Sequence, residues 1–390
     1  MDYSTRKIIL IVTVIIVIIT ITVAVFLLII PIQAGTVYRD VPIEHSGRTR
    51  TYNYFVPANL PASPVPLVFT IHGGGINADQ QFGLTGTKAP YKILLDIAEQ
   101  EKFIVVAPDG TENPSDPNPE KLYWNDCRAD MTLVNKSVDD VGFIETLITL
   151  FLHNFNIDPN RIYATGISNG GGMSLRLAID LSHKIAAVAI LSQGNANNSV
   201  CTGPVNPIPV LLMSGTADEL NQWDGGYSEI ESARGSTKSI PDTVAFWVNQ
   251  NGADTVPEVT EIPNGPYNDH GTTVTLYDYD NGIQGTEVLL YKVNGGGHLE
   301  PSLTEQYSDT AEAFLGNQNH DIETAKEVWK FFKKHALNGP VSSVTLIGGN
   351  IVSVEDFCLL APCIGVTLTI PVATVTTGIY VTRIWPRKKQ

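Results

Sequence analysis

Cysteine is scarce in this chain. Its 390 residues hold four, Cys127, Cys201, Cys358 and Cys363, with no C-x-x-C pair and no histidine beside them at ligand spacing, which excludes the usual zinc sites. Positive charge is also in deficit: 25 Lys and Arg stand against 40 Asp and Glu, a net charge of −15. Phosphate backbones are held by clustered cations, so nucleic acid is excluded as a partner. The same field disfavours strongly anionic substrates. Internal repeats and low-complexity tracts are missing too, which removes solenoid and disordered architectures. The length suffices for one large core, and the sequence divides into a central domain, 37–338, between two atypical ends, 1–36 and 339–390.

Both ends are rich in what soluble domains lack. Residues 8–30 carry no charge and are almost wholly Ile, Val, Leu, Thr and Phe, long enough as a helix to cross a hydrocarbon core of ~30 Å. Arg6 and Lys7 precede the run and belong on the cytoplasmic side, which places the central domain outside. A signal peptide cleaved near Ile32-Gln33-Ala34 is the competing reading, but the run exceeds the usual h-region and favours an uncleaved anchor. Residues 357–382 are also uncharged and lead into Arg383, Arg387, Lys388 and Lys389, so a second span over about 359–382 is expected. The alternation of Val366, Leu368, Ile370 and Val372 suits a strand of a small module instead. An extracytoplasmic domain makes disulfide pairing natural, with Cys127 and Cys201 as the expected pair and two buried free thiols as the alternative.

Between the ends, strands alternate with helices, the pattern of a mainly parallel sheet covered on both faces. Strands are predicted at 66–71, 103–107, 161–165, 186–191, 209–213 and 287–293. Apolar residues at helical spacing predict helices at 91–100, 138–155, 173–180 and 322–336. Asp139 and Asp140 open the second of these and suit the positive end of its dipole. The polar stretches 219–239 and 264–285 read as surface loops or a small insertion near a site.

Gly166-Ile167-Ser168-Asn169-Gly170 matches G-x-S-x-G directly after a predicted strand and before a helical run. A strand turning sharply into a helix strains the serine and lifts its hydroxyl above the sheet edge, which small neighbours permit. The helix N-terminus favours a developing oxyanion. Ser168 is therefore the candidate nucleophile. Its hydroxyl needs a neutral histidine as base and a carboxylate to orient that histidine, in the chain order Ser, acid, His. Of His183, His270, His298, His320 and His335, only His298 follows a predicted strand through a glycine loop, Asn294-Gly295-Gly296-Gly297. His183 and His335 are expected on the solvated surface, and His270 and His320 lie in polar stretches. Asp218 follows the strand 209–213 through Ser214-Gly215-Thr216-Ala217 and is the candidate acid; Glu219 is its nearest rival, while Asp224 and Asp242 read as loop charges. Oxyanion donors are expected at the N–H of Asn169 and within His72-Gly73-Gly74-Gly75, assigned to Gly74 with Gly73 and Gly75 left open.

Together, Ile71-His72-Gly73-Gly74-Gly75, Val106-Ala107-Pro108-Asp109-Gly110, Val138-Asp139-Asp140-Val141, the stretch from Ile157-Asp158 to Gly170-Gly171, Ser214-Gly215-Thr216-Ala217-Asp218 and Gly295-Gly296-Gly297-His298 resemble the polyhydroxybutyrate depolymerase and feruloyl esterase group of secreted α/β-hydrolases. The resemblance covers roughly 37–338. It implies an α/β-hydrolase fold, a secreted carboxylic-ester hydrolase with the triad Ser168, Asp218 and His298, no metal or organic cofactor, and a disulfide consistent with Cys127 and Cys201. The chain departs from that group after the histidine, where an aromatic residue and a proline are expected and His298-Leu299-Glu300-Pro301 stands. An acidic Glu300 there breaks any simple transfer of aromatic-acid or polyester specificity. Two rivals share the scaffold: a peptidase with the same triad, and a catalytically inactive surface binding protein, against which the intact Ser, Asp and His speak. Asn135-Lys136-Ser137 and Asn197-Asn198-Ser199 have the form of glycosylation acceptors.

Overall fold

The computed structural model describes residues 34–337 apart from 86–90, 114–117, 119, 229–231 and 266–270. Both expected membrane spans, about 8–30 and 359–382, lie outside the described residues, as do His270, Cys358 and Cys363. Among the described residues no helix is long and apolar enough to cross a membrane.

Among the described residues, ten strands form one sheet: β1 (Thr36–His45), β2 (Arg48–Val56), β3 (Val65–Ile71), β4 (Ile104–Pro108), β5 (Ile157–Ile167), β6 (Ala187–Leu191), β7 (Val210–Gly215), β8 (Glu258–Glu261), β9 (Thr273–Tyr279) and β10 (Val288–Asn294). Their order across the sheet is β1-β2-β4-β3-β5-β6-β7-β10-β9-β8. From β4 to β10 every neighbouring pair is parallel. Antiparallel strands close both edges.

The central strands are apolar throughout because each is covered on both sides; every residue of β3, β4, β6 and β7 is buried. Strand alternation then divides them between two core layers. Leu67, Phe69, Ile104, Val106, Ala164, Val188 and Leu212 face one layer. Val68, Val105, Ala107, Tyr163, Ala189, Leu211 and Met213 face the other.

Three helices, α2 (Asp140–Asn154), α3 (Asn169–Asp180) and α4 (Ile240–Asn251), put Phe143, Leu147, Phe151, Met173, Leu177, Val244 and Trp247 into the first layer. On the other face, α1 (Tyr91–Glu101) and α6 (Thr324–Phe332) contribute Leu94, Ala98, Val328, Trp329 and Phe332. Trp329 stacks on Phe103 with ring centroids 4.1 Å apart. A short α5 (Asp309–Leu315) lies between β10 and α6. The result is three layers, helices on both faces of a mostly parallel sheet, as the strand and helix pattern predicts.

Several expectations change. The stretch 264–285 is not all loop, because β9 runs through it. Its Val274 is buried while Leu276 and Tyr277 are only partly covered, so the apolar signal is weak beside flanking Asn, Asp and Gly. Helix α4, not foreseen, starts at the cap Ser239, whose side chain accepts from the Asp242 N–H, and ends at Gly252 in the left-handed conformation. The last helix is shorter than 322–336. Asp139 and Asp140 stand at the start of α2 as expected, Asp139 as its N-cap, accepting from the Gly142 N–H, and Asp140 in the first turn, where it is also buried and paired with Arg50 at 2.8 Å.

Candidate active site

The ends of the central strands are in register. Ile167 of β5 pairs with Leu191 of β6, Leu191 with Met213 of β7, and Met213 with Tyr291 of β10. Ser168, Asp218 and His298 each follow one of these ends, directly after β5, three residues after β7 and four after β10. Topology alone therefore brings the three to one edge of the sheet, the carboxyl edge at which open α/β sheets bind ligands.

Ser168 stands at φ 56° and ψ −124°, a conformation that costs a non-glycine residue about 1–3 kcal/mol and persists only where surroundings impose it. The imposition is visible. A Cβ on Gly166 would lie 2.5 Å from the carbonyl carbon of Gly170, and one on Gly170 would lie 2.1 Å from the carbonyl oxygen of Ile71. Both glycines allow the elbow to press against the neighbouring strand. Ser168 occupies the N-cap of α3 yet makes no capping bond with its side chain, unlike Ser239 and Ser308 at the starts of α4 and α5. Its hydroxyl is not spent on its own helix. The backbone is held instead, with its N–H donating to Leu191 O at 2.8 Å and its carbonyl accepting from the Gly172 N–H at 2.9 Å.

His298 and Asp218 meet in a buried hydrogen bond, Nδ1 to Oδ2 at 2.7 Å. With the Nδ1 proton directed at the carboxylate, Nε2 is left as the acceptor. The other carboxylate oxygen of Asp218 accepts from the N–H groups of Leu220, at 2.9 Å, and Asn221, at 2.8 Å. Asn221 in turn donates through its side chain to Ser192 O and Gln193 Oε1, tying the loop after β7 to the loop after β6. The rival Glu219 is exposed, as are Asp224 and Asp242.

Gly74 and Asn169 lie side by side next to the serine. A Cβ on Gly74 would be 3.4 Å from that of Asn169, and one on Gly73 would be 3.7 Å from that of Ser168. Gly75 drops out as an oxyanion donor, because its N–H is engaged by Leu122 O at 2.8 Å. The glycine loop is fixed by His72, whose Nε2 accepts from the Gly110 N–H at 2.9 Å and whose Nδ1 lies 2.7 Å from Gly73 O. Burial drives the imidazole pKa down to about 4, so it serves this loop uncharged.

The side chain of Asn169 does more than its sequence position suggests. It accepts from the Trp124 N–H at 2.7 Å and donates to Trp124 O and Asp126 Oδ2. Asp126 is in a buried ion pair with Arg128. Next to it, Cys127 is joined to Cys201 by a disulfide. No periodicity or motif marks this network, since its members come from loops and act through their tips.

The remaining histidines separate differently from expectation. His183 is exposed, but His335 is held by Glu287 at 2.8 Å with its side chain buried, correcting its reading as a solvated residue. His320 is also buried, with Nδ1 2.6 Å from Ser302 O. Glu300 is buried and lines a cavity of about 30 Å³ with Thr70, Gln81 and Thr165, on the α1 and α6 side of the sheet. Among the described residues, no group of three or more His, Cys, Asp or Glu could hold a metal ion.

No family model matches the chain. A relative named “Putative esterase NocK”, from Nocardia uniformis subsp. tsuyamanensis, is 28% identical over 305 residues, which are 75% of this chain and 81% of that protein. Feruloyl esterase D of Neurospora crassa is 26% identical over 294 residues, 74% of this chain and 83% of its own length. Among solved structures, an acetyl xylan esterase from Aspergillus awamori aligns with 72% of this chain and 99% of that chain, at 17% sequence identity and a TM-score of 0.46. The chain thus has homologues named feruloyl esterase and esterase, which are carboxylic ester hydrolases.

Proposed function

We propose that this homologue of the feruloyl esterases is itself a serine esterase, with Ser168 as nucleophile, His298 as general base and acid, and Asp218 as the carboxylate that orients it. One observation carries the reading: the buried 2.7 Å bond between Asp218 and His298 stands at the same sheet edge as a serine held at φ 56°. His298 Nε2 takes the hydroxyl proton as Ser168 Oγ bonds to the ester carbonyl carbon. The N–H groups of Gly74 and Asn169 receive the oxyanion, and the first turn of α3 adds its dipole. Collapse of the tetrahedral centre breaks the C–O bond to the alcohol, which leaves with the proton from His298. Water, deprotonated by the same imidazole, then cleaves the acyl-enzyme and releases the acid.

The anchoring helix at 8–30 completes the proposal, holding the catalytic domain outside the cytoplasm. The Cys127–Cys201 disulfide is the kind of bond that persists in an oxidising compartment. A fluorophosphonate reagent tests the nucleophile directly. Its phosphorus should be found on Ser168 by peptide mass spectrometry, with fluoride displaced. An unlabelled Ser168 in folded protein contradicts the assignment.

A further inference from the structure

Helix α4 lies over β7 and β10, and beyond β10 the same face of the sheet is left half open. In the antiparallel pairing of β9 with β10, Tyr277 stands opposite Leu290 and Tyr279 opposite Val288. Strand alternation puts Lys292 on that face beside Leu290. The two tyrosines are only partly covered. Between them and α4 runs a groove of about 590 Å³, a size typical of small-molecule sites.

The groove is apolar and carries a single charge. Val244 and Val248 of α4 form one side, Tyr277 and Leu290 the floor, and Trp223 and Lys292 stand together where α4 begins. Trp223 is fixed there by its carbonyl, which accepts from the Ile240 N–H at 2.9 Å. Lys292 Nζ lies 5.5 Å from the centroid of its ring. Among the described residues no Asp or Glu lines the groove. In a chain of net charge −15, a half-buried ammonium set apart from carboxylates is a local reversal of sign. The rings around it exclude water, so the charge-assisted bond it offers an anion is stronger than that of an exposed lysine.

We propose that this groove is a second binding site, taking an apolar monocarboxylate whose carboxylate meets Lys292 Nζ and whose hydrocarbon body lies along α4 against Tyr277 and Leu290. A neutral ligand would leave the ammonium half-buried and unmatched, and a dianion would bring in a charge with no partner. None of Ser168, Asp218 and His298 lines the groove, so the proposal does not rest on the esterase reading.

The test is isothermal titration of the full chain with octanoate and with octanol, its neutral counterpart, for the wild type, Lys292→Met, Ala245→Trp and Ser168→Ala, each checked for an intact fold. The wild type should bind octanoate at one saturable site, about tenfold or more tighter than octanol. Lys292→Met keeps the apolar stem and should erase that preference. Ala245 lines the groove from the exposed side of α4, and Ala245→Trp should fill it and abolish binding of both. Ser168→Ala should bind as the wild type does. Equal affinity of the wild type for octanoate and octanol overturns the proposal. So does octanoate binding that survives Ala245→Trp or is lost in Ser168→Ala, which would put the ligand elsewhere. The absence of saturable binding to the folded wild type overturns it too; if the protein is then a dimer that Ala245→Trp dissociates, the face is a contact between copies instead.

Discussion

Lowering the pH from 8 to 5 should cost the fold about 2 kcal/mol through one side chain, His72. Burial holds this imidazole at a pKa of about 4, against ~6.5 in an unfolded chain. Both ring nitrogens are committed, Nε2 as acceptor from Gly110 and Nδ1 to Gly73 O, and a second proton would break the first bond. Because the folded pKa is depressed, the unfolded chain takes up the proton first. The stabilisation is therefore complete above about pH 6.5, declines as pH falls, and is lost below about 4. The whole gap of about 2.5 pH units corresponds to about 3 kcal/mol, of which about 2 is gone by pH 5. Urea midpoints of the wild type and His72→Gln, followed across this range at constant m, isolate the contribution. The variant should be less stable at pH 8, and the difference should shrink by about 2 kcal/mol at pH 5. A difference that stays constant with pH refutes the argument.

Two further substitutions probe the scaffold of the site. The Cys127–Cys201 bond closes a sequence separation of 74, for which loop entropy predicts a loss of about 4 kcal/mol in the Cys127→Ser, Cys201→Ser double variant, read as a lower urea midpoint; an unchanged midpoint contradicts it. Gly170→Ala would force a Cβ to within 2.1 Å of Ile71 O. It should destabilise by about 1–3 kcal/mol and abolish ester cleavage by displacing the elbow, whereas an active variant of normal stability would show that the elbow has room.

Much of the central sheet was legible because its strands are buried on both faces and so read as unbroken apolar runs. The pattern was lost at β9, where partly covered Leu276 and Tyr277 dilute it, and at α4, whose cap Ser239 is the last residue of a polar stretch. Ser168, Asp218 and His298, the proposed triad, could be singled out because each follows a strand end, and a parallel sheet aligns those ends. Asn221, Trp124 and the second role of Asn169 could not. They act through hydrogen bonds to residues far away in the sequence, and nothing in their spacing announces it. His335 misled for a related reason: its partner Glu287 is 48 positions away, beyond the reach of any local pattern. Glu300, two residues after His298, is buried and lines a small cavity together with Gly166 of the elbow and residues of α1 and α6.

Ser168, His298 and Asp218 are proposed to act together on esters. The most direct measurement is the rate of nitrophenyl acetate hydrolysis by the full chain and by Ser168→Ala, His298→Ala and Asp218→Asn, each checked for an intact fold. The wild type should turn over, and the variants should lose on the order of 10⁴–10⁶ of that rate. Wild-type rates in folded Ser168→Ala, or no turnover by the folded wild type, would contradict the proposal.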